Sequence, residues 1–279
     1  MTPRARRAAA RGLLYVGAAV LVFQAAFPFL WMASTSMKPP VEVFAQPPSF
    51  VPEAPTLENF WRLFTATNFL IYFRNSLTVA GLVVLLTMVV GAAGAYSLTR
   101  FRYPGREQVA GLILCTYMFA PIMIVIPFFI LAKKLGIQNT HLALVLAFAS
   151  FCLPFALWLL RAFFETIPIE LEEAALVDGA DRFRAVVHVV LPLALPGLIA
   201  TGIFTFILAW NDYIFTRILI SADELKTLPV GVQDLFHSAL IDWGLIMAAG
   251  VLITIPALAF FVGVQRHLVA GWGSGGLKG

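Results

Sequence analysis

Few side chains in this sequence are placed to do chemistry. The histidines His141, His188, His237 and His267 are scattered along it, and none is paired with a carboxylate and a nucleophile in a catalytic pattern. Cys115 and Cys152 stand alone inside apolar runs, with no CxxC or zinc-ligand spacing, so neither a redox pair nor a metal site is expected. No Gly-Lys dipeptide occurs, which removes the phosphate-gripping loop of the GxxxxGK[ST] kind. Two polar groups remain. One is the charged segment LEEAALVDGADRFRAVVHVVLPLALP, from Leu171 to Pro196. The other is Trp210, Asn211, Asp212 and Tyr213, set within an apolar stretch. Neither is a catalytic constellation, so the chemistry to expect is mechanical or recognitional.

The elements that must carry these groups follow from composition. Hydrophobic residues make up 60% of the 279 and charged residues only 12%, with a mean hydropathy of +0.88. A soluble domain has roughly 45–50% apolar and about 25% charged residues. A helix crosses the hydrocarbon with about 20 mostly apolar residues. Six stretches qualify: Leu13 to Met37, Leu77 to Leu98, Val109 to Ala132, Leu142 to Leu160, Leu198 to Ile220 and Leu245 to Val264. None alternates at the strand period, which argues against a barrel. The expected fold class is therefore an all-α integral membrane protein with six transmembrane helices.

The net charge of +4 does not point to nucleic acid, because the basic residues are distributed by side of the membrane. With the N-terminus inside, the cytoplasmic segments hold the cluster RARRAAAR, then Arg100, Arg102 and Arg106, then Arg161, Arg182 and Arg184, and finally Arg266 and Lys278. Lys133 and Lys134 run against this orientation. Both termini are expected in the cytoplasm. The first apolar run exceeds the 7–15 residues of a signal-peptide core and reads as an uncleaved span.

The first outer segment should be extended through KPPVEVFAQPPSFVPEAP and then helical over TLENFWRLF, with a threonine cap. TRFRYPGRE reads as a turn around Pro104 and Gly105. Pro121, Pro127, Pro154 and Pro256 lie within spans, where they either shape packing or act as hinges. Gly91 to Ser97, GAAGAYS, offers a close-packing face.

The charged segment is the most legible. Pro168 suits a first helical turn, Glu170, Glu172 and Glu173 put negative charge at the positive end of the dipole, and Gly179 suits a left-handed terminator. A helix of about ten residues follows from these signals. Asp181 can cap a second helix carrying Phe183, Val186, Val187 and Val190 on one side until Pro192 stops it. Two short helices at an angle should lie at the cytoplasmic face, with Ala174 and Ala175 permitting close approach of another surface. A docking element and a plain amphipathic connector both fit that outline.

Beyond this physical reading, Glu173-Ala174-Ala175, Gly179, and Val189-Val190-Leu191-Pro192 resemble the EAA motif of ABC importer permeases (E-A-A, three residues, G, nine residues, I, any residue, L-P), with Val189 in place of the usual isoleucine. PFLWMASTSMKP, RNSL (Arg74 to Leu77), RYPGR, AWNDY and QRHLVAGWGSGGLKG extend the resemblance along nearly the whole chain, to the shorter permease subunit of maltose-permease-type carbohydrate importers. That resemblance implies the MetI-like fold and three regions. Residues 1–70 hold the basic tail, first span and outer Pro-rich segment; 71–266 form the permease core with the loop 168–196; and 267–279 form a cytoplasmic tail.

It also implies partners: a second homologous permease, two cytoplasmic ABC ATPase subunits that hold ATP and Mg, an extracytoplasmic sugar-binding protein, and membrane lipid. This chain would carry no cofactor or metal and would not itself be an enzyme. The site residues carried over for ATPase coupling are Glu172, Glu173, Ala174, Ala175, Asp178, Gly179, Ala180, Phe183, Leu191 and Pro192. Trp210, Asn211, Asp212 and Tyr213 are read either as the translocation path or as ties between spans. The outer segment from Ser221 to Gly244 resembles the loop that reaches toward the binding protein. Gly275, Gly276, Lys278 and Gly279 are assigned to a tail entering the ATPase interface. The location expected is the cytoplasmic membrane of a bacterium or archaeon. A secondary transporter without an ATPase partner is the alternative, but it would need ionisable groups at the midplane, where Asp212 is nearly the only candidate.

Overall fold

In the computed structural model the described residues are 3–237 and 241–275, with side chains described over 11–237 and 241–263. In chain order the helices are α1 (Pro3–Ser36), α2 (Pro40–Val43), α3 (Glu58–Ala66), α4 (Phe69–Arg100), α5 (Arg106–Thr116), α6 (Pro121–Lys134), α7 (His141–Glu165), α8 (Ile169–Val177), α9 (Arg182–Ala185), α10 (Leu191–Leu193), α11 (Leu195–Trp210), α12 (Ile214–Leu219), α13 (Leu228–Leu235) and α14 (Trp243–Gly275). A π turn over Val186–Val190 joins α9 to α10. No strand occurs among the described residues.

Four of these helices are long and apolar enough to cross a membrane, and two bent pairs raise the count to six if each pair is one span. The third expected span is one of those pairs: α5 and α6 meet at 98° instead of forming one rod. Pro121 opens α6, and Ala120 before it is extended (φ −63°, ψ 139°), because the proline ring disfavours helical backbone in the preceding residue. The fifth also differs from expectation. Its helix ends at Trp210, and a separate α12 begins at Ile214. The last helix runs on through Gly275, into the residues 267–279 expected to form a tail. Gly276, Lys278 and Gly279 lie outside the described residues.

The chain divides into two compact units, residues 1–68 with 234–255, and residues 69–233 with 256–279. Within the first, Asn59 is buried and donates from Nδ2 to the carbonyls of Ser36 (2.9 Å) and Lys38 (2.8 Å), satisfying backbone groups at the end of α1. Lys38 donates to the Ser49 carbonyl and lies 5.0 Å from the centroid of the Trp31 ring. The Pro-rich stretch contains the short α2 in addition to extended chain, and the Thr56 hydroxyl accepts from the Glu58 amide (3.1 Å) as α3 begins.

In the second unit α4 packs along α7 and α11. Small residues make this possible: a Cβ on Gly94 would sit 2.8 Å from Leu157 Cδ1, and one on Gly91 3.4 Å from Leu160 Cδ1. The face expected from GAAGAYS is thus a helix-packing face, as van der Waals association of membrane helices requires. Gly197 in α11 has the same role against the Phe163 ring of α7. Cys115 is exposed and Cys152 buried, and both are free.

Candidate coupling segment and polar cleft

The carboxylates at the start of α8 reduce the partial positive charge of its N-terminus, and Pro168 is its N-cap rather than its first residue. The end is a Schellman motif. Gly179 takes φ +91°, its amide donates to the Leu176 carbonyl (3.1 Å), and the Ala180 amide donates to Ala175 (3.0 Å). Nothing lies within 4 Å of a Cβ built on Gly179, so the glycine is there for its backbone angle and not for lack of space. Asp181 then caps α9 by accepting from the Arg184 amide at 2.7 Å.

Here the structure departs from the expected second helix. After one turn the backbone widens into the π turn, with the Leu191 amide donating to Val186, and Pro192 sits inside the next turn without stopping it. A π turn moves the i−4 carbonyl that a proline ring would otherwise strike. The extra residue also rotates the side chains apart: Val190 is fully buried while Phe183 is 76% exposed, so the four apolar residues do not share one side. The break comes at Ala194, where the segment turns 76° into α11.

The sequence-assigned coupling residues divide into two sets. Glu173, Ala174, Asp178, Gly179, Phe183 and Pro192 are exposed, Ala175, Ala180 and Leu191 are partly so, and Val177 beside them is 87% exposed. Together they leave a small-residue helix flanked by bare apolar side chains. Glu172 points the other way and is 4% exposed. Its Oε1 accepts from the Tyr96 hydroxyl, and its Oε2 accepts from Arg100 Nε at 3.0 Å. Arg100 also donates from a terminal nitrogen to the Ile167 carbonyl at 3.0 Å. This ion pair lies beside a cluster of Ala95, Leu160, Phe164, Ile167, Val190 and Ala194. A carboxylate removed from water needs its charge matched and its lone pairs filled, and here both conditions hold. Sequence reading did not single out Tyr96 or Arg100 for this role. The only available signal was an arginine ending a long apolar run opposite a segment with one more acid than a helix N-terminus needs.

The second polar group is divided as well. Trp210 ends α11 with 1% exposure, stacked on Phe206 (centroids 5.5 Å apart) and edge-on to Phe73 (5.6 Å). It belongs to the core. Asn211, Asp212 and Tyr213 form the break between α11 and α12 and line a cavity of about 380 Å³ with Pro121, Phe148, Phe151 and Phe215. Asp212, one residue before the N-cap Tyr213, accepts from the amides of Phe215 (3.4 Å) and Thr216 (3.1 Å) in the first turn of α12. Asn211 Nδ2 donates to the Ile207 carbonyl (2.9 Å). The three therefore stop the helix instead of sitting inside a continuous span.

At the other end of α4, residues 221–231 are held by side chains of α4 and of the turn before α7. Asn75 Nδ2 donates to the carbonyls of Glu224 (2.7 Å) and Lys226 (3.0 Å), and the Leu228 amide donates to Ser76 Oγ (2.7 Å). The Tyr72 hydroxyl donates to Asp223 at 2.8 Å, and Gly231 packs directly on the Tyr72 ring. Asn139, before α7, accepts from the Ser221 and Ala222 amides, both at 2.9 Å. RNSL is thus a clamp. Among the described residues no group of three or more His, Cys, Asp or Glu is arranged to hold a metal.

Residues 22–273 match the family described as the binding-protein-dependent transport system inner membrane component. The chain belongs to this family. It is 36% identical over 276 residues to the inner membrane ABC transporter permease protein YcjP of Escherichia coli (strain K12), covering 98% of this chain and 99% of the relative. It is 35% identical to the trehalose/maltose transport system permease protein MalG of Thermococcus litoralis, covering 96% and 97%. Among solved structures it resembles a chain of a bacterial ABC transporter involved in import of the acidic polysaccharide alginate, with a TM-score of 0.83, 24% identity, and coverage of 95% of this chain and 98% of that one. The fold is that of the MetI-like importer permeases, as the resemblance of the sequence implied.

Proposed function

We propose that this chain is the shorter permease subunit of a carbohydrate importer. It pairs with a second homologous permease, receives sugar from an extracytoplasmic binding protein and is driven by two cytoplasmic ATPase subunits that hold ATP and Mg. It lies in the cytoplasmic membrane of a bacterium or archaeon with both termini inside. The basic cluster RARRAAAR supports that orientation, and the extent of identity to a trehalose/maltose permease supports the substrate class. The observation that carries the reading is the exposed face of α8, where Glu173, Ala174 and Val177 stand free while Glu172 fastens the helix from behind. A helix held on one side and bare on the other is suited to transmit a partner's movement.

In mechanism, closure of the ATPase dimer moves the docked α8, and the attached helices shift between inward- and outward-open packings. Linkage makes the effect reciprocal, so a loaded binding protein outside favours ATPase closure inside. Gly179 is the hinge between the docked helix and the lever that follows it. Asn211, Asp212 and Tyr213, facing aromatic rings across the cavity of about 380 Å³, suit a polar solute with apolar faces.

The test is crosslinking of Ala174→Cys in a Cys115→Ser background, since Cys115 is exposed. Capture of a co-expressed ATPase subunit is expected. Labelling of that cysteine only from outside intact cells, or transport by the isolated chain on an ion gradient, overturns the reading.

A further inference from the structure

Both segments through which a carrier of this kind would receive its signals are fastened to one helix, α4. At its first turns Asn75 and Ser76, 2% and 3% exposed, hold residues 224–228; at its last turn Arg100 and Tyr96 hold Glu172. These partners lie 149–152 residues away in sequence at one end and 72–76 at the other, so the links are tertiary and not a consequence of chain connection. Both sets of anchors lie on one unbroken helix of 32 residues, and from Asn75 to Arg100 it rises about 38 Å at 1.5 Å per residue.

The body of α4 also lacks the residue that most often kinks a helix. Of the four helices long enough to cross a membrane, α1 contains Pro28, α7 Pro154 and α14 Pro256, while α4 contains no proline. The elements joined to the coupling segment by the chain itself are more compliant: α7 has its proline, and the path to α11 includes a π turn and a 76° bend. A push at α8 is taken up partly by those joints, whereas through Glu172–Arg100 it reaches one continuous helix without proline.

We propose that α4 is the strut coupling the two faces of the carrier. Arg100 and Glu172 are positioning residues at its inner end, and Asn75 and Ser76 at its outer end. This deepens the importer reading and rests on it. Movement at α8 is delivered to residues 221–231 along α4, and the loop's engagement by the binding protein is returned by the same path. Spatial continuity alone does not demonstrate coupling, so the test measures coupling directly.

The experiment uses the complete complex with its ATPase subunits in lipid nanodiscs, with Mg·ATP plus vanadate as the probe, reading amide hydrogen exchange over residues 221–231. In the wild type, trapping changes exchange in that loop. Asn75→Ala and Arg100→Met each reduce the trapping-induced change by roughly fivefold or more, although trapped ADP still forms. The double variant is no worse than either single one, because a strut cut at one end transmits nothing further when cut at the other. Arg100→Lys, which keeps a cation beside Glu172, restores most of the change.

Additive losses, a wild-type response in either single variant, or trapping in the wild type without a change at 221–231 would each overturn the strut. If Arg100→Met does not assemble, Tyr96→Phe replaces it and is expected to show the same defect in weaker form. A wild-type complex that holds no ATPase or traps no ADP defeats the importer reading instead.

Discussion

The coupling segment and the break at Asn211 to Tyr213 are both polar interruptions of an apolar chain, yet they satisfy their polar groups in opposite ways. Glu172 finds its partners on another helix, at Tyr96 and Arg100, and becomes buried. Asn211 and Asp212 bond to backbone groups within four residues of themselves, at Ile207, Phe215 and Thr216. Polar groups spent on distant partners tie elements together, so force applied to one is felt by the other. Polar groups spent locally end a helix and can still face a cavity. The first region ties two helices together, and the second ends a helix beside a cavity.

The contrast predicts how differently the two should fail. Arg100→Met leaves the Glu172 carboxylate buried without its cation. Loss of one partner of a buried pair costs about 3–5 kcal/mol, so the purified complex should show the largest drop in apparent melting temperature here, together with loss of transport. An unchanged melting temperature would mean that water reaches Glu172 and that the two regions differ less than their geometry says. Gly179→Val is next: forcing a β-branched residue to φ +91° costs about 1–2 kcal/mol. Since nothing crowds that position, insertion into the membrane should be normal while sugar-stimulated ATP hydrolysis in proteoliposomes falls.

Asp212→Ala removes the acceptor for two first-turn amides of α12, worth about 1 kcal/mol. Its stability loss should be small, and its transport rate should fall more than stability explains if the cleft is on the path. Asp212→Asn retains an acceptor and should recover the stability while the transport rate stays low. Arg184→Ala is the control at the bottom of the scale. Its contact with Asp181 is 3.7 Å long with both side chains about two-thirds exposed, so its loss should change stability by no more than about 0.5 kcal/mol. A larger effect would mark Arg184 as a partner contact.

Much of the coupling segment was legible because its signals are local. A glycine at the left-handed position and an aspartate at the next N-cap act within a few residues, and Gly179 and Asp181 do what their types suggest. Pro192 misled for the opposite reason: whether a proline stops a helix depends on the width of the turn before it, and the π turn at Val186–Val190 cannot be read from residue types. The break at Asn211 was hidden by hydropathy, since Leu198 to Ile220 averages apolar whether or not the backbone is continuous. Trp210 was grouped with its polar neighbours by sequence and separated from them by its ring contacts with Phe73 and Phe206.

The order of residues alone determined that this chain is a helical membrane protein with a motif-bearing loop, because hydropathy, capping and turn chemistry act over a few residues. It also carried the family likeness. Only tertiary structure decided which glutamate is exposed and which is locked to α4, and that the same helix holds residues 224–228 at its far end. Neighbouring residues such as Glu172 and Glu173 are alike in type, and what separates them is the direction each side chain takes from the helix and what another part of the chain has brought to meet it.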